Sequence, residues 1–429
     1  MKKATLSCLF ALTTMMATSA WADEVTFRPL QSETLPDMTT PRRSHVCFAT
    51  ADGDIIAVGG HTKNFRLTST AERLHNGEWE SVSISNPHDG PAITTLPDGR
   101  VLICGGFSSG SGVGQSTVCD IYDPTTNTFT ATGSLNTSRA FATAVLTGVG
   151  NNVLVSGNWY NSDTTFELWN GDTWTAFGSK TPQLNHPFMI NDGQGNVYAF
   201  GCRETHGNLV AVAAWKVNTI DQTVETLTET GLEDYELMHG ENFSFQTSDG
   251  KLLLLGKKDD AVHLLSFSAA TAKVTELTTL PDAIPDVTDH FDYSPGILVN
   301  EDRKEAYIIG GFGNSEGKTL VLVNYNLETG KTTVFYDQPL GYCLYWGAWT
   351  LQPGTGKIVI TGGSVTNNFD IVAASVIVTP YEGDDPSAIV TTKQLAPADG
   401  HCYTLGGQRV KHPVRSGIYI RNGKKVIIK

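Results

Sequence analysis

The chain has 429 residues, of which 43 are Gly and only 17% are charged, and its net charge is −14. Residues 1–22 contribute +2 through two Lys, and residues 385–429 contribute +6 because they hold eight Lys or Arg against two Asp, so residues 23–384 carry −22. An acidic body argues against nucleic acid as the main partner. The glycine content fits many short strands joined by turns around a substantial core.

The first 22 residues have the features of a signal peptide. Lys2 and Lys3 precede an apolar run at 6–17 that is too short to span a bilayer, and the sequence AWA at 20–22 is a small-x-small cleavage site. We therefore expect an exported chain that begins at Asp23. Later apolar runs have the length of strands, so no membrane span is expected.

A short apolar run that ends in glycine recurs along the chain at intervals of roughly 44 to 55 residues. The seven runs lie at 55–60, 101–106, 153–157, 197–201, 252–256, 306–311 and 357–363. Each follows a strand with a polar turn, and each precedes a loop, an aromatic-bearing strand, a second turn and a last strand. Four antiparallel strands per repeat, with no helical periodicity, predict the blades of an all-β propeller.

The repeat resembles the Kelch repeat, in which a double glycine after an apolar strand is followed by a Tyr-like and then a Trp-like aromatic residue. The residues that carry this resemblance in the first two repeats are Gly59-Gly60 with Trp79, and Gly105-Gly106 with Tyr122 and Phe129. The resemblance covers residues 25–381 and implies a seven-bladed Kelch-type β-propeller over residues 23–384.

The mature N-terminus is expected to close the ring. The seventh repeat supplies only three strands before the composition changes at Glu382, and residues 25–45 resemble the connection between blades two and three at 129–141. We therefore predict that residues 25–30 form the fourth strand of blade seven. A ring joined in this way has no free edge between its first and last blades.

Arg or His stands at the start of the inner strand in six of the seven repeats. Together with nearby acidic and aromatic residues these form a candidate ligand-binding set at one mouth of the channel: Arg42, Arg43, His88, Arg139, His186, His239, Glu241, His290, Asp292, Tyr345 and Trp346. Such a set suits an acidic ligand, for example a uronic or sialic acid or a carboxylate-bearing peptide. The alternative is that these side chains bond to the loops of neighbouring blades, as Arg and His do in the Kelch pattern. Polar loops at 61–69, 107–116 and 313–319 offer a further binding surface.

The sequence favours binding over catalysis. It has no nucleophile-elbow motif and no clustered metal ligands, so neither a metal nor another cofactor is expected. Galactose-oxidase-like proteins share the propeller architecture, but Tyr342-Cys343 and Tyr345 alone do not complete their copper site. The more plausible enzyme is a sugar mutarotase or epimerase, because exported Kelch propellers similar to sialic-acid mutarotases are of comparable size and their chemistry needs only acid–base side chains. Glu241, Asp292, His239 and His290 could supply such a pair, and the alternative is that the two acidic residues cap turns or pair with nearby Arg and His.

We therefore expect a monomeric, non-enzymatic binding or scaffold propeller for a glycan or protein ligand. The alternative is a carbohydrate-active enzyme, either a mutarotase or epimerase or an oxidase.

Six cysteines remain after the expected cleavage. Cys104 and Cys119 lie on two strands of one predicted blade and are the candidates for a disulfide. The alternative is that they serve as small buried apolar residues.

The basic segment at 385–429 contains short strands and an Asn422-Gly423 turn, which predicts a hairpin. It resembles the C-terminal sorting domain of Bacteroidetes cell-surface proteins through Leu405, Gly407, residues 408–410, residues 417–419 and residues 422–426. This resemblance implies surface display through a secretion machinery. The alternative is an edge hairpin packed on the propeller.

Overall fold

A computed structural model describes residues 25–159, 164–181, 185–205, 208–238, 246–282, 292–314, 317–339, 346–364, 370–381, 402–404, 409–410, 417–421 and 424–428. Among these residues the chain forms seven antiparallel blades of a β-propeller and a separate four-stranded sheet at the C-terminus. The expected all-β, seven-bladed architecture is therefore confirmed.

In blades one to six, four strands follow one another in chain order from the inner edge outwards. Those of blades one to three are Val46–Ala49, Ile55–Val58, Thr70–His75 and Glu78–Ser83; Ala92–Thr95, Val101–Cys104, Cys119–Asp123 and Thr128–Thr132; and Thr143–Leu146, Val153–Ser156, Thr164–Trp169 and Trp174–Thr181. Those of blades four to six are Asn185–Asn191, Asn196–Thr205, Asn208–Asn218 and Thr223–Thr226; Glu236–Leu237, Lys251–Lys258, Ala261–Ser268 and Lys273–Thr279; and Asp292–Asn300, Glu305–Asn314, Gly317–Asn326 and Thr332–Pro339. Blade seven has Ala348–Leu351, Ile358–Thr361 and Ser375–Thr379, and its outer strand comes from the N-terminus.

Two small elements complete the described part of the ring. A ribbon of His61–Thr62 and Arg66–Leu67 rises from the loop of blade one, and a 3₁₀ turn at Leu232–Asp234 leads into blade five.

The burial pattern explains why the repeats are visible in the sequence. The second strand of a blade is covered on both faces by neighbouring blades, so Ile55–Val58 and Val101–Cys104 are buried at every position. The outer strand Glu78–Ser83 buries only Trp79 and Val82 and is otherwise exposed. Buried apolar clusters fill each of the seven interfaces between consecutive blades, including the one between blades seven and one.

The N-terminal segment closes the ring, but the predicted bounds of the closing strand were wrong. The outer strand of blade seven is Gln31–Thr34, which pairs antiparallel with Ser375–Thr379. Thr26–Pro29 instead adds a fifth strand to blade six, parallel to Thr332–Pro339.

Leu30 explains this division. Its side chain is 1% exposed within the cluster between blades six and seven, and its N–H donates to the carbonyl oxygen of Tyr336 at 2.6 Å. The chain therefore leaves blade six and joins blade seven at this residue.

The C-terminal segment forms a sheet of its own in the order Arg409–Val410, Cys402–Thr404, Gly417–Arg421 and Lys424–Ile428. The last two strands pair antiparallel with Arg421 opposite Lys424. This register confirms that the two strands pair as the predicted hairpin requires.

Candidate ligand-binding site at the propeller axis

Arg42, which opens blade one, is buried in contact with its own blade. Its guanidinium pairs with Glu72 at 2.7 Å, and neither side chain is exposed. The same group donates to the carbonyl oxygens of Gly59 and Thr70, both at 3.0 Å. Burial lowers the pKa of Arg42, and the ion pair with Glu72 opposes this effect. The pair therefore holds the entry to blade one against the strands of that blade.

Arg139 has the same role in blade three. It pairs with Glu167 at 2.9 Å and donates to the carbonyl oxygen of Gly157 at 3.1 Å. Glu167 also accepts the backbone N–H groups of Asn136 and Thr137. The pair thus fixes the connection that enters the blade.

His88 and Asp120 take these two places in blade two. His88 Nδ1 donates to the carbonyl oxygen of Gly105 at 2.8 Å, and its Nε2 lies 3.6 Å from Asp120. Burial would raise the pKa of Asp120, but the nearby His88 ring and two hydrogen bonds from Asn86 outweigh burial and hold this pKa below its ordinary value. We call Arg42, His88 and Arg139 the anchor residues.

The double glycine of one blade receives the anchor residue of the next. The second glycine donates its N–H to the anchor carbonyl oxygen, from Gly60 to His88 at 2.6 Å, from Gly106 to Arg139 at 2.7 Å and from Gly363 to Arg42 at 2.9 Å. The first glycine makes room: at Gly105, where φ is +70°, an added Cβ would lie 2.5 Å from the Arg139 carbonyl oxygen. The approach of the next blade therefore requires glycine here.

Backbone hydrogen bonds join blades seven, one, two and three around the axis. The N–H of Ser44 donates to Trp346 at 2.8 Å, that of Gly90 to Ser44 at 2.7 Å, and that of Phe141 to Gly90 at 2.8 Å, each to a carbonyl oxygen. All four residues are left-handed, with φ of 61° at Trp346, 54° at Ser44, 64° at Gly90 and 50° at Phe141. Bulky residues rarely adopt this conformation, so the surrounding structure must hold Phe141 and Trp346 in it.

Four aromatic side chains meet inside this belt, and we call them the axial aromatic cluster: Phe107, Phe141, Trp159 and Trp346. The centroid of the Phe141 ring lies 4.9 Å from that of Trp159 and 5.6 Å from that of Trp346. Blades three and seven are not neighbours, so their side chains can touch only at the axis. Phe107 and Phe141 are buried, whereas Trp159 and Trp346 are partly exposed. Trp159 and Trp346 are therefore the members of the cluster that are accessible to solvent.

A buried chain of polar side chains borders the cluster. Arg43 Nε donates to His61 Nε2 at 3.0 Å, and His61 Nδ1 lies 2.9 Å from Asp89 Oδ1. Because arginine can only donate, His61 carries its proton on Nδ1 and donates it to Asp89. Burial raises the pKa of Asp89, although the hydrogen bond from His61 opposes this. The Arg43 guanidinium also lies 5.6 Å from the centroid of the Trp346 ring, which joins the chain to the aromatic cluster.

The inner strands enclose a channel with a volume of about 410 Å³. Its wall consists of apolar side chains and the hydroxyls of Thr94, Thr95, Thr143 and Thr350. Cys47 is the one ionisable residue among the described residues that line it, and burial raises the pKa of its thiol to about 12. The described wall thus offers no acid or base at neutral pH.

The structure divides the predicted site residues into three groups. Arg42, His88 and Arg139 are each 0% exposed, and their side chains bond to other groups of the propeller. This supports the alternative that they hold the blades together rather than bind a ligand. Arg43 and Trp346 come together at the axis. Of the remaining residues, only backbone is described at His186 and Asp292, and His239, Glu241, His290 and Tyr345 lie outside the described residues.

Sequence analysis did not include His61, Phe107, Phe141 and Trp159 in the site. His61 and Phe107 directly follow a double glycine, and Trp159 follows the corresponding Gly157-Asn158. Phe141 lies two residues after an anchor residue, as Ser44 and Gly90 do. The position directly after the glycine pair and the position two residues after an anchor residue are therefore the two places in the repeat that indicate residues at the axis.

No protein-family model matches the chain, and no curated protein matches it significantly. Within the described residues, no helix is long and apolar enough to cross a membrane. No three His, Cys, Asp or Glu side chains of the same residues come together as metal ligands would.

Proposed function

We propose that the chain is an exported Kelch-type propeller that binds a glycan at its axis without transforming it. The observation that carries this proposal is the axial aromatic cluster, in which Trp159 and Trp346 are partly exposed at the centre of one face. An indole face stacks well against the C–H groups of a sugar ring. Gln115, which is partly exposed and pairs with Phe107, accepts a hydrogen bond from Asn158 at 2.8 Å and offers its side-chain amide to the sugar hydroxyls.

Binding is favoured over catalysis by the state of the groups at the mouth. Both ring nitrogens of His61 are engaged, one by Arg43 and one by Asp89, so this histidine has no nitrogen left to exchange a proton with a ligand. The mutarotase alternative therefore depends on His239, Glu241 and His290, which lie outside the described residues, and on Asp292, of which only the backbone is described.

The test is a glycan array probed with the wild-type protein, followed by titration of the best glycan under tryptophan fluorescence. We expect Trp159→Ala to weaken binding at least tenfold. The control is Ile220→Ala, because Ile220 is 65% exposed on a turn of the opposite face and its loss should leave affinity unchanged. Unchanged binding by Trp159→Ala would overturn the axial site. Binding of proteins but of no glycan would assign a protein ligand instead.

We further propose that residues 385–429 direct the protein to the cell surface. The support is the resemblance to the sorting domain and the reversal of charge, from −22 on residues 23–384 to +6 on this segment. Deletion of residues 386–429 followed by cell fractionation tests this role. Unaltered surface exposure would refute it.

A further inference from the structure

We propose that Cys104 and Cys119 form a disulfide that staples the base of the blade-two loop at the mouth. The two residues are direct partners on the second and third strands of the blade. The adjacent pair is hydrogen-bonded, since the N–H of Gly105 donates to the carbonyl oxygen of Val118 at 2.8 Å. The cysteines therefore occupy a non-hydrogen-bonded position, where Cα atoms lie about 4.5 Å apart, within the range of about 4.4–6.8 Å that disulfides use.

Both cysteines are free thiols in this structure, and the Cys119 thiol donates to the carbonyl oxygen of Thr117 at 3.6 Å. A hydrogen bond to Cys119 is the main reason why the pKa of Cys104 is raised well above its ordinary value, and burial raises it further. Both residues are 1% exposed in the interface between blades two and three. Cys47 differs, because its thiol bonds to the Thr361 hydroxyl rather than to another thiol.

The bond forms by exchange with a disulfide oxidant. The thiolate of one cysteine attacks the oxidant and releases one thiol, and the second cysteine attacks this mixed disulfide and releases the other. The protein thus loses two protons and two electrons, and the oxidant takes them up and is reduced to two thiols. Because burial and a raised pKa disfavour the thiolate in the folded state, exchange is fastest while blades two and three are still packing together.

The disulfide would restrain the blade-two loop between Cys104 and Cys119, which contributes to the candidate site. Gly106, next to the pair, docks the anchor residue Arg139, and Phe107 belongs to the axial aromatic cluster. At Gly110 the same loop crosses blade one so closely that an added Cβ would lie 2.6 Å from the Cβ of His61. The disulfide therefore links the redox state of the protein to the rigidity of one side of the mouth.

The test is refolding of the purified protein in a mixture of oxidised and reduced glutathione, then alkylation under denaturing, non-reducing conditions and trypsin digestion. One tryptic peptide, 101–139, contains both cysteines and no other, and a second, 44–63, contains only Cys47. We expect no alkyl group on peptide 101–139 and one on peptide 44–63, and two on peptide 101–139 when the protein is reduced first. Two alkyl groups on peptide 101–139 after oxidative refolding would overturn the disulfide.

The consequence for the loop is measured by hydrogen–deuterium exchange over residues 105–118. We expect slower exchange in the oxidised protein than in the reduced protein, and no redox dependence in Cys119→Ser. Equal exchange in the two redox states would overturn the restraint of the loop. Neither readout requires a glycan, so this inference and the proposed function fail independently.

Discussion

Arg139 and Glu167 form an ion pair 2.9 Å long in which neither side chain is exposed. A buried pair of this kind adds little net stability, because removing both charges from water costs about as much as their attraction returns. Its value is positional, since Glu167 also holds the backbone N–H of Asn136 in the segment that enters blade three, and Arg139 holds the carbonyl oxygen of Gly157 within that blade. The pair therefore fixes the position at which the chain coming from blade two enters blade three.

Removing one partner of this buried pair should therefore lower the free energy of unfolding much more than removing an exposed pair does. We expect Arg139→Ala to lower the free energy of unfolding by about 3–5 kcal/mol, because Glu167 would remain buried without a counter-charge. The control is Arg100→Ala, which removes a pair with Asp98 whose side chains are 39% and 41% exposed and should cost less than about 1 kcal/mol. Urea unfolding of both variants makes the comparison. Equal losses would contradict the structural role of the anchor.

Replacing a glycine of the double glycine by alanine should be destabilising for a steric reason that does not apply to a nearby loop glycine. Gly105 and Gly112 have nearly the same φ, +70° and +73°, but an added Cβ meets the Arg139 carbonyl oxygen only at Gly105 and nothing within 4 Å at Gly112. Gly112→Ala should cost about 1 kcal/mol for its left-handed backbone. Gly105→Ala should lower the free energy of unfolding by about 2 kcal/mol more than Gly112→Ala does, because blade three must move to make room for the added Cβ. Thermal unfolding of the two variants separates the steric cost from the backbone cost, and equal values would refute it.

The propeller can be predicted from the sequence because the second strand of each blade is buried on both faces and ends at a glycine that the next blade requires. Ile55–Val58 and Val101–Cys104 are uniformly apolar for this reason. The closing strand was misplaced by several residues because Gln31–Thr34 is exposed at every position. It therefore carries no apolar alternation, and its pairing follows only from the burial of Leu30 beside it.

The axial aromatic cluster was harder to predict. Phe141 and Trp346 belong to blades that are not neighbours, and only closure of the ring brings their rings to 5.6 Å. Both residues are also left-handed, a conformation that the sequence suggests only in blade two, where Gly90 takes the same place. The ionic contacts of the anchors likewise join residues about 30 positions apart, and no local pattern marks Glu72 or Glu167 as partners.

Leu30 should be the main stabilising residue of the closing segment. Leu30→Ala would leave a cavity between blades six and seven and should lower the free energy of unfolding by about 2–5 kcal/mol. The control is Gln31→Ala, one residue further on, whose side chain is exposed and should cost less than about 0.5 kcal/mol. Urea unfolding distinguishes the two. A small effect of Leu30→Ala would mean that strand pairing alone closes the ring.

Acid should weaken the interface between blades seven and one through His45. This side chain is 3% exposed, and its Nε2 lies 2.8 Å from the Thr361 hydroxyl, which also donates to the carbonyl oxygen of Ala348 at 3.3 Å. His45 Nε2 is therefore the donor, and among the described residues its Nδ1 has no hydrogen-bond partner. Burial, and then the charge of Arg42, hold the pKa of His45 well below its ordinary value.

The sign of the pH effect follows from this lowered pKa. Below about pH 6.5 the unfolded chain binds a proton at His45 that the folded protein does not, so stability should fall by about 1.4 kcal/mol per pH unit until the folded pKa is reached. His45→Asn removes this titration and should flatten the dependence between pH 6.5 and 5.5. Gln31→Ala is the control, because Gln31 is exposed and carries no ionisable group, so its loss should leave the slope as in the wild type. Urea midpoints measured across this interval give the three slopes, and the same slope in His45→Asn and wild type would exclude His45 as the group that senses acid.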